Sequence, residues 1–257
     1  VDAAEVRSSF IERGVVRLDG AFSADAAASI RDVVWSYANR RTGVDLGDRS
    51  TWPEGPLQLS WKRVRRHPVF DIVADNRAVT DALDVVFGAG GWRHPGPGAQ
   101  VLFNLPVQGP WTLPDGWHMD CGFEQPTWPV FAVKLFAFVG AVGPCGGGTM
   151  LLPGTHQLVD RYRHGFEHPP AGSKATWHPF LRHYEPLGGL LAGAGQPDRG
   201  RSLVGQRFDI EGVPIDVVEL TGSPGDVVIT HLHVFHTTSP DTTDVPRQMI
   251  SKALFAA

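Results

Sequence analysis

From Gln100 onward the chain falls into short runs of apolar and β-branched residues, each closed by glycine or proline. The runs are Gln100–Leu105, Val130–Val139, Thr149–Leu152, Val217–Leu220, Asp226–Thr230 and Gln248–Phe255. Segments this short suit strands, and several of them separated by turn signals predict an antiparallel sandwich or barrel. The N-terminal third reads differently. Val6–Glu12 looks helical and Gly14–Leu18 looks like a short strand. Ser23 is a plausible N-cap for a helix running to about Asn39, with Ile30, Val33, Val34 and Tyr37 on one face. A second helical stretch covers Pro68–Phe87, with a break near Asp75 or Asn76, and Thr42–Pro56 reads as loop. Helices first and strands later predict a mostly β fold with flanking helices packed on one side. The expected organisation is one domain over 1–257, with 1–99 as helical support and 100–257 as the β core.

The stretch Gln157–Glu211 breaks the rhythm. It carries Pro169, Pro170, Pro179, Pro186 and Pro197, many glycines, and the aromatics Phe166, Trp177, Phe180 and Tyr184. A structureless loop of that length is unusual unless it is functional. It is either a lid-like insertion, an oligomer contact, or a set of short elements the pattern does not reveal.

Composition narrows the function classes. The chain has 257 residues, 42% hydrophobic and 19% charged, enough for a substantial core. A formal net charge of −4 argues against a general nucleic-acid binder. Lys62, Arg63, Arg65 and Arg66 form a basic cluster whose plain reading is a solvated face, with a specific anion site as the alternative. Cys121 and Cys145 have no C-x-x-C spacing, so neither a disulfide scaffold nor a zinc ribbon is expected. A reducing, cytoplasmic setting fits, and Cys121 reads as a buried inert thiol. No apolar run approaches the roughly 20 residues of a membrane helix, and no signal sequence opens the chain. The first residue is Val1 rather than Met, which reads as a trimmed or processed start.

The chemistry concentrates in two places. Trp117-His118-Met119-Asp120 sets His and Asp at i and i+2. On a strand those side chains share a face, so one imidazole and one carboxylate can reach one point. Two His and one carboxylate on an octahedral metal leave three positions open, the arrangement of non-haem Fe(II) oxygenases. The third ligand must come from elsewhere, and Gly225–His236 offers His231, His233 and His236 at the end of an apolar strand. His231 and His233 share a parity that His236 does not, so spacing alone leaves the choice open. It leaves Zn(II) open as well.

Several blocks in order resemble the phytanoyl-CoA dioxygenase family of Fe(II)/2-oxoglutarate oxygenases. W-H-M-D at Trp117–Asp120 is similar to its W-H-x-D, and G-G-G-T-M-L-L-P-G-T-H at Gly146–His156 to its glycine-rich turn, strand and P-G-[ST]-H. Gly225–Arg247 resembles its third block, and F-x-x-x-G-V-V-x-L at Phe10–Leu18 fits too. The resemblance implies a double-stranded β-helix core, jelly-roll or cupin-like. It implies His118, Asp120 and His236 as metal ligands and catalytic residues, with Fe(II), 2-oxoglutarate and O₂ as cofactors. His231 then matches a histidine common in that strand but not a ligand, and His233 is left to packing or a hydrogen bond. Arg247, eleven residues after His236, matches the arginine that grips the far carboxylate of 2-oxoglutarate. Thr238 stands where the family usually has Ser, and Asp241 where Asn is more usual, shaping a turn. Asn104 and Thr149 are further candidates for the co-substrate, and Trp117, Phe123, Trp128, Lys134 and His156 for the surroundings of the pocket.

The implied reaction is hydroxylation of a small-molecule metabolite, with release of succinate and CO₂. A carboxylate at Asp120, where related halogenases carry a small residue, argues against halogenation; desaturation, epoxidation and ring formation stay open. With no basic pocket legible, a small metabolite is expected over a CoA thioester, and a monomer or homodimer over any nucleic-acid or membrane assembly. Two rivals remain: a non-catalytic binding protein on an oxygenase scaffold, and a Zn-dependent hydrolase or isomerase of cupin type. The first predicts a lost ligand or a blocked pocket, whereas all three ligand types are present; the second needs no role for Arg247 and no 2-oxoglutarate.

Overall fold

The computed structural model describes residues 2–94 and 96–257, without the side chains of residues 197 and 198. Helix α1 (Ala3–Arg13) starts where the Asp2 carboxylate accepts the Ala4 and Glu5 N–H groups. It stops at Gly14, which adopts the left-handed conformation (φ 68°). Strand β1 (Val15–Leu18) follows. Helix α2 (Ala24–Thr42) is capped by Ser23 as predicted, and runs a turn past Asn39 because Gly43 is its first left-handed stop. The predicted second helical stretch divides into a 3₁₀ turn, α3 (Asp71–Ala74) and α4 (Arg77–Phe87). The break falls at Asn76, whose side chain accepts the Ala78 N–H.

The strands then come in sequence: β2 (Trp92–Arg93), β3 (Gln100–Asn104), β4 (Ala132–Phe138) and β5 (Thr149–Leu152). After an inserted segment come β8 (Val218–Glu219), β9 (Val227–His231), β10 (Phe235–Thr238) and β11 (Arg247–Ala256). A six-stranded antiparallel sheet runs β1-β9-β4-β11-β2, with β3 also on β11. A three-stranded sheet, β10-β5-β8, faces it. This is the jelly-roll core. Gln157–Glu211 is not one loop. It holds α5 (Thr155–Arg163), α6 (Lys174–His183), α7 (Glu185–Gly193), α8 (Pro197–Leu203) and the hairpin strand β6 (Arg207–Ile210), paired with β7 (Val213–Asp216). Pro186 and Pro197 sit in first turns where no N–H bond is lost, whereas Pro179 lies inside α6, which forms in spite of the helical N–H bond it forgoes.

Strand alternation sorts the core into three layers. Val133, Leu135 and Ala137 of β4 pack with Ile229 of β9 against Ile30 and Val34 of α2 and Leu83 of α4. Phe136 and Phe138, of the opposite parity, meet Val228, Leu151 and Met249 between the two sheets. On the far face of the small sheet, Met150, Leu152 and Phe235 pack on Leu158, Phe180 and Leu187 of the inserted helices. Period-two alternation therefore also assigns a face to the polar residues. Lys134, Thr149, His236, Thr238, Asn104 and Arg247 share parity with residues that point between the sheets.

The Phe180 ring stacks on Phe235 at 5.2 Å and an interplanar angle of 3°, with Tyr162 and Tyr184 at its edges. Phe180→Ala is expected to destabilise the protein by about 3–5 kcal/mol, as large-to-small changes in buried aromatics do. Urea unfolding should show one transition shifted as a whole. A second, separate transition would mean the inserted helices fold apart from the jelly roll.

A layer of buried imidazoles lies outside the barrel. His156 donates its Nε2–H to the Ile11 carbonyl, and His231 donates to that of Thr127 while its Nδ1 accepts the His233 N–H. Burial pushes His156 down to about 4, against the pull of the Ile11 carbonyl and Asp160. It also pushes His233 down to about 4, against the carbonyls of Gly122 and Gln125 and helped by Arg163 and His156. His231 lies well below its usual value for the same cause, with His156 and His233 adding to it. These groups are neutral in the fold, whereas in the unfolded chain they take up protons below about 6.5. Their contribution is thus complete above pH 6.5 and is lost as pH falls towards 4. For His156 and His233 the loss is on the order of 3 kcal/mol each. Urea midpoints measured across that window should fall steeply in the wild type and less steeply in His156→Gln.

Candidate metal centre

The W-H-M-D segment is extended, but it is not the regular strand that its spacing predicts. It joins the small sheet by one isolated bridge: His118 N–H donates to the His236 carbonyl (2.9 Å) and His236 N–H to that of His118 (2.8 Å). Alternation still holds. Trp117 and Met119 are buried in the apolar layer under the inserted helices, while His118 and Asp120 face the opposite way. The bridge sets the two imidazoles 4.4 Å apart between ring centroids. Asp120 Oδ2 lies 3.5 Å from His236 Nε2, and one ligand atom from each of the three residues falls within 4.8 Å of the others.

The parity conflict among the three histidines resolves through a change of sheet. Strand β9 belongs to the large sheet and β10 to the small one, and the chain turns between them at Leu232–Val234. His231 therefore stays on the outer face of β9 beside Trp128 and His156. His236, on the other sheet, turns inward.

Hydrogen bonds fix the tautomers. His118 Nδ1–H donates to the Gly116 carbonyl (2.8 Å) and His236 Nδ1–H to that of Val234 (3.1 Å). A carbonyl only accepts, so each Nδ1 carries the proton and each Nε2 presents a lone pair, which is what a metal needs. Burial pushes His236 down to about 4, against the attraction of Asp120, and keeps it neutral. Lys134 completes the group, its Nζ 2.9 Å from Asp120 Oδ2 and 3.0 Å from Oδ1. Both carboxylate oxygens thus lie within reach of the ammonium, so a metal held by Asp120 would share the carboxylate with it. The neighbouring Cys121 thiol, half-buried rather than buried, is pushed up to about 12 by burial, with Asp120 and Glu124 adding to it, which keeps it protonated.

Arg247 opens β11 directly opposite Asn104 of β3. It is 3% exposed. Its Nη1 donates to the Gly147 carbonyl (2.6 Å) and its Nη2 to Asn104 Oδ1 (3.2 Å). Its Nε has no partner, and no carboxylate lies within ion-pair distance among the described residues. Burial pushes it down to about 10, which the nearby Asp241 only partly offsets. Asp241 does shape a turn: one oxygen accepts the Thr243 N–H and hydroxyl, the other the Arg247 N–H. Thr149 and Thr238 are paired across β5 and β10, Thr149 buried and Thr238 open.

Two cavities adjoin these groups. The larger, about 1080 Å³, is lined by Asp120 and Lys134. The smaller, about 400 Å³, is lined by Asn104 and Thr238. Of the residues expected around a pocket, Lys134 alone lies on either. Trp117 and Phe123 belong to the apolar layer, and Trp128 and His156 to the imidazole layer. Large aromatics at alternate positions fill a core for the same reason that they line a pocket, so the sequence does not separate the two. Sequence reasoning missed Trp177 of α6, whose ring lies 5.8 Å from that of His118. Lys62, Arg65 and Arg66, the basic cluster of the sequence, are exposed and lie on the wall of the larger cavity.

The sequence matches the phytanoyl-CoA dioxygenase family model over residues 10–249. The chain belongs to that family. No curated protein matches it in sequence. Among solved structures it is similar to EctD from S. alaskensis with 2-oxoglutarate and 5-hydroxyectoine. That match has 15% identity and a TM-score of 0.56, covering 100% of this chain and 76% of that one. The non-heme monooxygenase ThoJ in a nickel complex matches at 15% identity and TM-score 0.54, over 98% of this chain and 77% of that one. The epimerase SnoN, in complex with Fe³⁺, α-ketoglutarate and nogalamycin RO, matches at 15% and 0.52, over 98% and 83%. At such identities the likeness speaks for the family's shared jelly-roll fold. No helix among the described residues is long and apolar enough to cross a membrane.

Proposed function

We propose that the chain is a non-haem Fe(II)- and 2-oxoglutarate-dependent oxygenase that hydroxylates a small organic molecule and releases succinate and CO₂. One observation carries the reading: a buried Arg247 with no acidic partner, in the same barrel as a His-Asp-His group whose ligand atoms lie within 4.8 Å of one another. The donor set suits a divalent first-row metal and leaves positions for other ligands. An unpaired buried guanidinium is costly unless an anion completes it, and its planar fork suits a carboxylate.

In this reading His118, Asp120 and His236 hold the iron, and Arg247 with Asn104 and Thr238 holds the far carboxylate of 2-oxoglutarate. Iron with 2-oxoglutarate and O₂ supplies an oxidant strong enough to break a C–H bond. The chain's residues supply the rest. The Gly116 and Val234 carbonyls hold the imidazoles in the ligating tautomer. Lys134 neutralises the second Asp120 oxygen. Trp177 covers His118 from the inserted helices and limits the access of water.

Anaerobic addition of Fe(II) and then 2-oxoglutarate should produce the weak visible charge-transfer band of a chelated 2-oxo acid. Absence of the band in the wild type would sink the proposal. Product analysis then separates hydroxylation from the epimerisation that SnoN's name records: an added oxygen atom supports the former, an inverted centre with none overturns it.

A further inference from the structure

We infer that the substrate is an anion whose carboxylate or phosphate is held by Lys62, Arg65 and Arg66 on the wall of the large cavity. The inference starts from the charge in that wall. Five cationic side chains, Lys62, Arg65, Arg66, Lys134 and Lys252, line the cavity with Asp120 as the single lining carboxylate among the described residues. Lys134 is matched by Asp120. Lys252 is matched by Asp71 (3.3 Å) and donates to the Gly96 carbonyl (2.6 Å). Lys62, Arg65 and Arg66 have no carboxylate within ion-pair distance among the described residues, in a chain whose net charge is −4. A cluster of one sign beside low-dielectric walls focuses potential into the cavity.

These cations are held on the wall by their backbone. Arg65 and Val64 N–H groups both donate to the Trp61 carbonyl, and Val64 is buried. The Trp61 ring packs on Phe103 (5.5 Å) and Tyr37 (5.8 Å). The Ala99 N–H donates to the Arg65 carbonyl (2.8 Å). A Cβ on Gly98 would lie 2.1 Å from that same oxygen, so only glycine lets the lead into β3 pass this close. The segment is therefore fixed against the sheet with its charged side chains at the cavity.

The rest of the lining carries no unmatched cation: Lys134 and Lys252 are ion-paired, and Gln125, Phe131, Leu232, Ser251 and Phe255 are uncharged. An anionic end thus belongs at the Lys62–Arg66 wall, and an uncharged part of the same molecule belongs towards Asp120, where oxidation would occur. The anion in question is not the far end of 2-oxoglutarate. Arg247 lines neither cavity, and its partner Asn104 lines the smaller one. Cationic substrates are disfavoured by repulsion from three uncompensated charges.

Because it names a substrate, the inference rests on the oxygenase reading, but anion capture can be measured without turnover. Octanoate, octyl phosphate and octyltrimethylammonium would be titrated calorimetrically into the metal-free protein and, anaerobically, into protein loaded with Fe(II) and 2-oxoglutarate. At least one of the two anions should bind one-to-one in both forms, more weakly as salt rises, and the ammonium probe should not. The tighter anion assigns carboxylate or phosphate. The Arg65→Ala, Arg66→Ala double variant should bind that anion about 10- to 100-fold more weakly, the loss of one or two charge-assisted contacts. It should leave the Fe(II)–2-oxoglutarate visible band unchanged. The Arg65→Lys, Arg66→Lys variant should recover part of the affinity. Absence of binding by both anions, equal binding of the ammonium probe, or undiminished affinity in the alanine variant would overturn the inference. Anion binding without the visible band would instead sink the oxygenase reading and leave the anion site standing.

Discussion

His236→Ala is expected to cost the protein its iron, lowering Fe(II) affinity by well over ~100-fold, the upper end of what outer-shell changes alone cause. The fold should survive. The bridge that aligns His118 with β10 uses main-chain atoms of residue 236, so it persists in alanine. His118 and Asp120 would remain as a two-ligand remnant. Anaerobic equilibrium dialysis gives the affinity, and circular dichroism confirms the fold. His231→Ala is the matching control. Its ring binds the Thr127 carbonyl and the His233 N–H on the outer face, so it should lower the unfolding temperature and leave Fe(II) affinity unchanged. The reverse pattern, iron kept in His236→Ala and lost in His231→Ala, would show that the wrong histidine has been assigned.

That contrast also marks how far the sequence was legible. The apolar runs from Gln100 onward gave six strands within a few residues, because alternation and turn residues are local signals. The helix stops at Gly14 and Gly43 and the break at Asn76 follow from local backbone preference as well. The choice among three histidines was not local. It depends on β9 and β10 lying in different sheets, and parity counted along one flat strand cannot anticipate that turn. The insertion was illegible for another reason. The stability of α6 and α7 comes from packing Phe180 and Leu187 against the small sheet, a contact with no signature in helical periodicity. The basic cluster at Lys62–Arg66 was visible, yet its role depends on where Gly98 lets it dock. A run of charges looks the same whether it faces bulk water or a cavity.

Arg247→Ala should separate the co-substrate from the metal. Removing one partner of a buried, hydrogen-bonded charge pair costs about 2–5 kcal/mol, so 2-oxoglutarate affinity should fall by at least roughly 30-fold. Fe(II) affinity should stay the same, since the guanidinium contacts Gly147 and Asn104 and none of the three metal-side residues. The Asp241 carboxylate binds the main-chain N–H of residue 247, so the turn that sets this position is kept in the variant. Arg247→Lys tests geometry apart from charge. An ammonium keeps the positive charge but cannot span the Gly147 carbonyl, Asn104 and a ligand carboxylate at once, so it should recover only part of the loss. Asn104→Ala should weaken 2-oxoglutarate less than Arg247→Ala does, because the guanidinium remains. Both ligands can be followed in one anaerobic titration, with dialysis for the metal and the visible band for the 2-oxo acid. Equal loss of Fe(II) and 2-oxoglutarate in Arg247→Ala would make the arginine a structural strut between β11 and the Gly147 turn, and the co-substrate's carboxylate would need another partner. Lys134, a half-buried cation whose strand position also faces the space between the sheets, is the residue to substitute next in that event.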